Sequence, residues 1–237
     1  MTGASISVFG VKIEGEFAKG DKVADRIHAA CVDAGVTLRD DDVVVVTHKI
    51  ISKAEGRVAR MPAGDWEARD ALIAKEGATF LRRNGSIAIT KTKHGFVCAS
   101  AGIDASNVEP GTVTLLPRDP DRSARSIRSR LNHLAEVDVA VIVCDTFGRA
   151  WRNGQTNVAI GVAGMLATIN YRDTTDSFGT VLKVTNIAIA DELAGAAEMV
   201  MGKADGVPVA VIRGAPIQRG RGNAKALIRP AIEDLFL

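Results

Sequence analysis

The sequence predicts an α/β chain (α+β in the looser sense) with mixed sheets flanked by helices. Three charge-free runs, Val43–Val46, Val139–Cys144 and Val207–Ile212, are short and apolar at successive positions, which suits strands buried on both faces. Segments with apolar residues at helical spacing alternate with them and end on glycine. At 237 residues the chain is one large domain or two small ones.

In order, Ile6–Val11 reads as a first strand and Glu14–Gly20 as the loop that leaves it. Asp21 is expected to cap a helix with the stripe Val23, Ile27, Ala30, Cys31 and Ala34, stopped at Gly35; His28, off that stripe, faces solvent. Strand Val43–Val46 follows. Pro62–Asp65 is a turn, with Asp65 capping a helix to about Phe80, and Arg82–Gly85 a turn into the strand Ser86–Thr90. Val113–Leu116 is a strand closed by Pro117. Asp119 or Asp121 starts a helix with Ala124, Ile127, Leu131 and Leu134 inward and Arg122, Arg125 and Arg128 on an exposed charged face. Strand Val139–Cys144 gives out at Asp145. The small residues of Gln155–Gly164 suit tight packing or a subunit contact. Tyr171–Gly179 is a polar loop, Val181–Ala190 a long strand and Asp191–Lys203 a helix stopped at Gly202. Val207–Ile212 is the last strand, and the apolar end Leu227–Leu237 is expected to dock on the body.

Composition excludes several functions. Thirty Lys plus Arg stand against 28 Asp plus Glu, a net charge of +2 with the signs interspersed, so nothing points to nucleic acid or an anionic membrane. Cys31, Cys98 and Cys144 form no CxxC pair, which argues against disulfides or zinc and fits a reducing cytoplasm. No basic-then-apolar leader opens the chain and no apolar run nears the ~18 residues of a membrane span, so a cytoplasmic protein is expected. The P-loop, G-x-G-x-x-G, G-x-S-x-G and H-E-x-x-H motifs do not occur. With four His residues and none paired at ligand spacing, a bound metal should be a hard, oxygen-held cation.

Chemistry gathers at the ends of the predicted strands. Asp145 and Thr146 put a carboxylate and a hydroxyl at a strand terminus, where α/β proteins collect ligands; a capping role for Asp145 is the alternative. Lys49, Ser52, Lys53 and Arg57 crowd past Val43–Val46 and suit phosphates, or else make a solvated surface. Asp104 and Asn107 offer two oxygens within a turn, or close an Asx-turn. Glu198 could reach a metal if its helix lies against the strand ends.

Several of these segments, in order, resemble the F420:gamma-glutamyl ligase family. The matching pieces are Val43–Arg57 with its Thr-His-Lys-Ile-Ile-Ser-Lys-Ala-Glu-Gly-Arg, Ala101–Val108, Leu116–Ala124, Asp145–Gln155 with Asp-Thr-Phe-Gly-Arg-Ala-Trp-Arg-Asn-Gly-Gln, Ala190–Ala194, Met201–Lys203 and Pro208–Val211. The resemblance implies a ligase domain over residues 1–237, or two intertwined subdomains, in an intertwined homodimer. It implies GTP as co-substrate, coenzyme F420-0 and L-glutamate as partners, and Mg²⁺ or Mn²⁺, one ion or two, with K⁺ as a further candidate. Glu14, Gly15, Glu16, Phe17, Lys53 and Asn107 would contact GTP; Asp104, Asp145 and Thr146 would hold metal; Glu198 and Met201-Gly202-Lys203 would add a further metal and nucleotide contact. His48 stands where the family has Ser, which replaces a phosphate-facing hydroxyl with an imidazole. Lys53 and Asp145 are the expected catalytic residues. Arg149, with Arg152, is placed by its position after Asp145 as a grip on the F420-0 phosphate or carboxylate, or as a structural ion pair. Some relatives carry a further flavin-binding domain, whose activity is not expected of a sequence ending at Leu237. The rival readings are a metal-dependent nucleotide phosphohydrolase and a non-catalytic deazaflavin-binding protein.

Overall fold

The structure, a computed structural model, describes residues 5–234. Strand β1 (Ser7–Val11) leads through a loop to helix α1 (Val23–Asp33), strand β2 (Val43–Thr47) and helix α2 (His48–Ala54). A run of short elements follows: β3 (Val58–Arg60), α3 (Trp66–Lys75), β4 (Thr79–Asn84), β5 (Ile87–Lys91), β6 (Val97–Ala99) and β7 (Thr112–Thr114). Helix α4 (Pro120–Ala135) precedes the long pair β8 (Ala140–Arg149) and β9 (Arg152–Ala163). Two-residue strands β10 (Ile169–Asn170) and β11 (Asn186–Ile187), helix α5 (Ile189–Met201) and strand β12 (Val209–Arg213) complete the series.

Five strands form the main sheet in the order β1-β12-β2-β8-β9. The β2–β8 pairing is parallel and the others antiparallel, so the sheet is mixed as expected. Alternate residues of the central strands feed two different cores. Val44, Val46, Val141, Val143, Val209 and Val211 pack with Ile27 and Cys31 of α1 and with Ile127 and Leu131 of α4. Val43, Val45, Ala140, Ile142, Ala210 and Ile212 pack with Leu193, Ala194 and Ala197 of α5. Burial on both faces is what the uninterrupted valine runs required. At Gly161, an added Cβ would lie 2.4 Å from the Pro120 carbonyl oxygen, so α4 reaches β9 only because no side chain intervenes.

The end of the sheet opposite the site is clamped by ion pairs. Asp42, whose side chain is 1% exposed, receives two hydrogen bonds from the Arg213 guanidinium, at 2.8 and 2.7 Å, which ties the start of β2 to the end of β12.

Several expected boundaries move. Asp21 does not cap α1, because its carboxylate accepts the Ala18 amide and pairs with Arg26. Ala24 replaces Ala34 on the buried stripe of α1. Asp65 and Asp119 do cap α3 and α4, accepting from the Ala68 and Arg122 amides. Helix α3 ends at Lys75, and Phe80, Arg82 and Arg83 belong to strand β4, whose hairpin turns at Gly85-Ser86. Arg128 leaves the expected charged row to pair with Asp138 and the Val139 carbonyl. Val181–Ala190 is not one strand: Val181 makes an isolated bridge to Thr175, only Asn186–Ile187 forms a strand, and α5 starts at Ile189. At the C-terminal end Leu227 packs on the α5-side core, whereas Ile232 is 96% exposed, and 235–237 lie outside the described residues. Among the described residues no helix is long and apolar enough to cross a membrane.

Candidate active site

Strands β1, β2 and β8 run in one direction and β12 and β9 in the other, so the carboxyl ends of the first three share an edge with the start of β12. A cavity opens at that edge. Its wall takes Gly15, Glu16 and Phe17 from the loop after β1, Thr47, Lys49 and Lys53 from the β2–α2 junction, and Asp145 and Thr146 from β8. Asn157 from β9, Asn107, Glu198 and Met201 of α5, and the turn Gly202–Lys203 close it. The residues converge because ligand sites in open sheets lie beyond the carboxyl ends of strands.

Asp145 is not at a strand terminus. Strand β8 continues to Arg149, and it is β2 that stops, at Thr47, which pairs with Cys144. Asp145 is therefore the first residue of β8 to lose its parallel neighbour. Its Oδ1 accepts the Thr146 amide at 2.7 Å. Thr146 projects to the other face, where its hydroxyl donates to Asn157 Oδ1 at 2.7 Å.

Lys203 crosses this group. Its ammonium donates to Thr146 Oγ1 at 2.7 Å, pairs with Glu198 Oε1 at 2.6 Å and lies 3.4 Å from Asn157 Oδ1. Gly202 makes the crossing possible, since its φ of 56° and ψ of −163° belong to a region open essentially to glycine alone. Glu198 Oε2 is buried with no hydrogen-bond partner. A cation between Glu198, Thr146 and Asp145 would answer that orphaned oxygen, and carboxylate, hydroxyl and amide oxygens are the donor set a hard cation takes. Among the described residues, however, no three of His, Cys, Asp and Glu gather closely enough to hold a metal by themselves.

Asp104 explains the missing third acid. It does not line the cavity; its Oδ2 pairs with Lys49 at 2.8 Å and its Oδ1 accepts the Ser106 amide at 2.7 Å, an Asx-turn. Burial would raise its pKa, but Lys49 and Ser106 outweigh burial and hold it below the usual carboxylate range. Lys53 pairs with Glu16 and donates to the Asn107 carbonyl at 2.7 Å, with Asn107 in the left-handed region at φ 55°.

Four more expected contact residues fall elsewhere. His48 is fully buried behind Asp145 and lines no part of the cavity. Glu14 pairs outward with Lys12, and its carbonyl accepts from Arg26. Arg149 sits at the β8–β9 hairpin tip, donating to the Asn153 carbonyl at 2.5 Å, and Arg152 is exposed there, so neither reaches the cavity. The sequence does not single out Asn157; an Asn in the sixth position of a hairpin strand gives no signal until register sets it opposite Thr146. The thiols take no part. Burial first, then the Asp145 charge, pushes Cys98 up to about 12, and burial likewise raises Cys144.

The description F420-0:Gamma-glutamyl ligase belongs to the family model that matches residues 11–214. The chain is 39% identical to coenzyme F420:L-glutamate ligase of Methanothermobacter thermautotrophicus, over 98% of each chain. It is 39% identical to the protein of that name from Methanocaldococcus jannaschii, over 91% of this chain and 92% of that one. The Methanopyrus kandleri protein is 38% identical over 95% of each.

Proposed function

Because the chain belongs to the F420-0:gamma-glutamyl ligase family, we propose that it joins L-glutamate to coenzyme F420-0 through a gamma-glutamyl amide, at the expense of GTP. The observation that carries this reading is the cavity itself, where Lys49, Lys53 and Lys203 meet Asp145 and Glu198. A carboxylate does not accept an amine unaided. In this reading a carboxylate oxygen of F420-0 attacks the γ-phosphorus of GTP and GDP leaves. The glutamate amine then attacks the acyl phosphate, phosphate leaves, and the amine proton passes to solvent.

Phosphoryl transfer asks mainly for positioning and charge neutralisation. Lys53, buried enough for its charge to count, would meet the phosphoryl oxygens after giving up Glu16. Gly15, Glu16, Phe17 and Asn107 would border the nucleotide, and Asp104, held at the rim, would aim Lys49. Mg²⁺ or Mn²⁺ held by Asp145, Thr146 and Glu198 would supply Lewis-acid stabilisation of the phosphate charge. Lys203 would then release Glu198 and turn to phosphate.

The test is product mass. Incubation with F420-0, GTP, Mg²⁺ and L-glutamate should yield a product heavier by one glutamyl residue or more, with GDP released over many turnovers only when both acceptor and amine are present. Asp145→Ala should lower that rate ~10²-fold or more with the fold intact. GDP release indifferent to F420-0 and glutamate would favour the phosphohydrolase, and F420-0 binding with no turnover the carrier.

A further inference from the structure

His48 is fully buried, yet both of its ring nitrogens face polar atoms. Nδ1 lies 3.2 Å from the Ser52 hydroxyl, one turn further along α2. Nε2 lies 3.2 Å from Asp145 Oδ1, off the line of a well-formed hydrogen bond, and has no other partner. The topology dictates the meeting: β2 and β8 are parallel with Thr47 opposite Cys144, so the residue after Thr47 comes beside the residue after Cys144. Oδ1 of Asp145 thereby accepts the Thr146 amide and has the ring edge 3.2 Å away on another side. Among the described residues its Oδ2 has no hydrogen-bond partner in the protein, and Asp145 borders the cavity.

We propose that His48 is a positioning residue that fixes the Asp145 carboxylate, so that Oδ2 is the oxygen presented to a divalent cation. The proposal rests on Asp145 as a cation ligand, as read above. The chemistry suits the role. A Ser52 hydroxyl that donates to Nδ1 leaves the ring proton on Nε2, facing Oδ1. A donor at that position orients the carboxylate from behind the cavity wall, since His48 lines no part of the cavity. Groups that hold a ligating side chain from behind commonly govern metal affinity by 10–100-fold.

Gln and Asn separate this role from simple core filling. The amide nitrogen of Gln can stand where Nε2 stands, whereas that of Asn reaches only the position of Nδ1. Mn²⁺ alone is titrated into the full-length protein, with free Mn²⁺ read by its electron paramagnetic resonance signal. His48→Gln should bind within about threefold of the unaltered protein, and His48→Asn on the order of tenfold more weakly. Should His48→Asn fail to fold by circular dichroism, Ser52→Ala takes its place: it keeps the ring, frees its tautomer and should weaken Mn²⁺ binding in the same direction. Unaltered affinity in His48→Asn, or in Ser52→Ala where that variant stands in, overturns the proposal if Asp145→Ala loses Mn²⁺ in the same assay. Asp145→Ala that still binds Mn²⁺ normally removes the cation site itself, and the proposal with it.

Discussion

At the scale of single residues, Lys53 was readable because a lysine one helical turn past a valine strand has few purposes other than meeting anions or solvent. The structure adds that its charge is already committed to Glu16 and to the Asn107 carbonyl. A nucleotide bound as proposed would therefore displace Glu16, whose own side chain is 84% exposed and recovers hydration when it leaves. Lys53→Ala should raise the KM for GTP by about tenfold or more, the usual worth of a hydrogen bond to a charged group. The KM for L-glutamate should hardly move; initial rates with each substrate varied in turn check this, and equal rises in both would show that Lys53 serves the cavity as a whole. Asp145 and Thr146 were legible as cavity residues for the same reason as Lys53, being polar groups at the margin of an apolar run, and Glu198 only on the condition that its helix lay against the strand ends. The burial of His48 beside Asp145 and the place of Asn157 at the cavity were not. Their roles depend on which strand lies beside which, and neighbours in space are not written in the local pattern.

At the scale of elements, hydrophobic period recovered the central strands and most of the buried faces of α1 and α4, since valine runs and helical stripes are local signals. It missed where β8 ends. The polar stretch Asp145–Arg149 looks like a loop, yet it stays extended because β9 pairs with it after β2 has stopped. It also joined Val181–Ala190 into one strand, where apolar residues alternate without a partner long enough to pair with. The Asp42–Arg213 clamp is an element-scale device, joining β2 to β12 at the end of the sheet away from the cavity. Removing one partner leaves a charge short of solvent, so Asp42→Ala should cost about 3 kcal/mol. Urea unfolding followed by circular dichroism measures it. A loss below about 1 kcal/mol would mean that Arg213, a quarter exposed, rehydrates freely.

At the scale of the whole molecule, mixed sheets flanked by helices could be anticipated from the sequence, but the order β1-β12-β2-β8-β9 could not, because a last strand inserted between the first two leaves no local trace. That insertion is what brings the turn carrying Lys203 over Thr146. The surface poses a different question. Trp151 at the β8–β9 hairpin tip is 79% exposed, and Phe178 and Val184, in the segment between β10 and β11, are 93% and 83% exposed. Large apolar side chains presented on extended arms are costly to leave in water and are a usual feature of subunit interfaces. A second copy is the partner that requires no further molecule, and a twofold arrangement would cover each arm reciprocally. Sedimentation should accordingly give twice the 25.0 kDa chain mass. Phe178→Glu combined with Trp151→Glu should shift the protein towards monomer, because a carboxylate buried without a partner opposes association. A 25.0 kDa species for the unaltered protein at micromolar concentration would refute the pairing. A dimer untouched by both substitutions would move the interface away from the arms, to the small-residue face of β9 or elsewhere on the sheet edge.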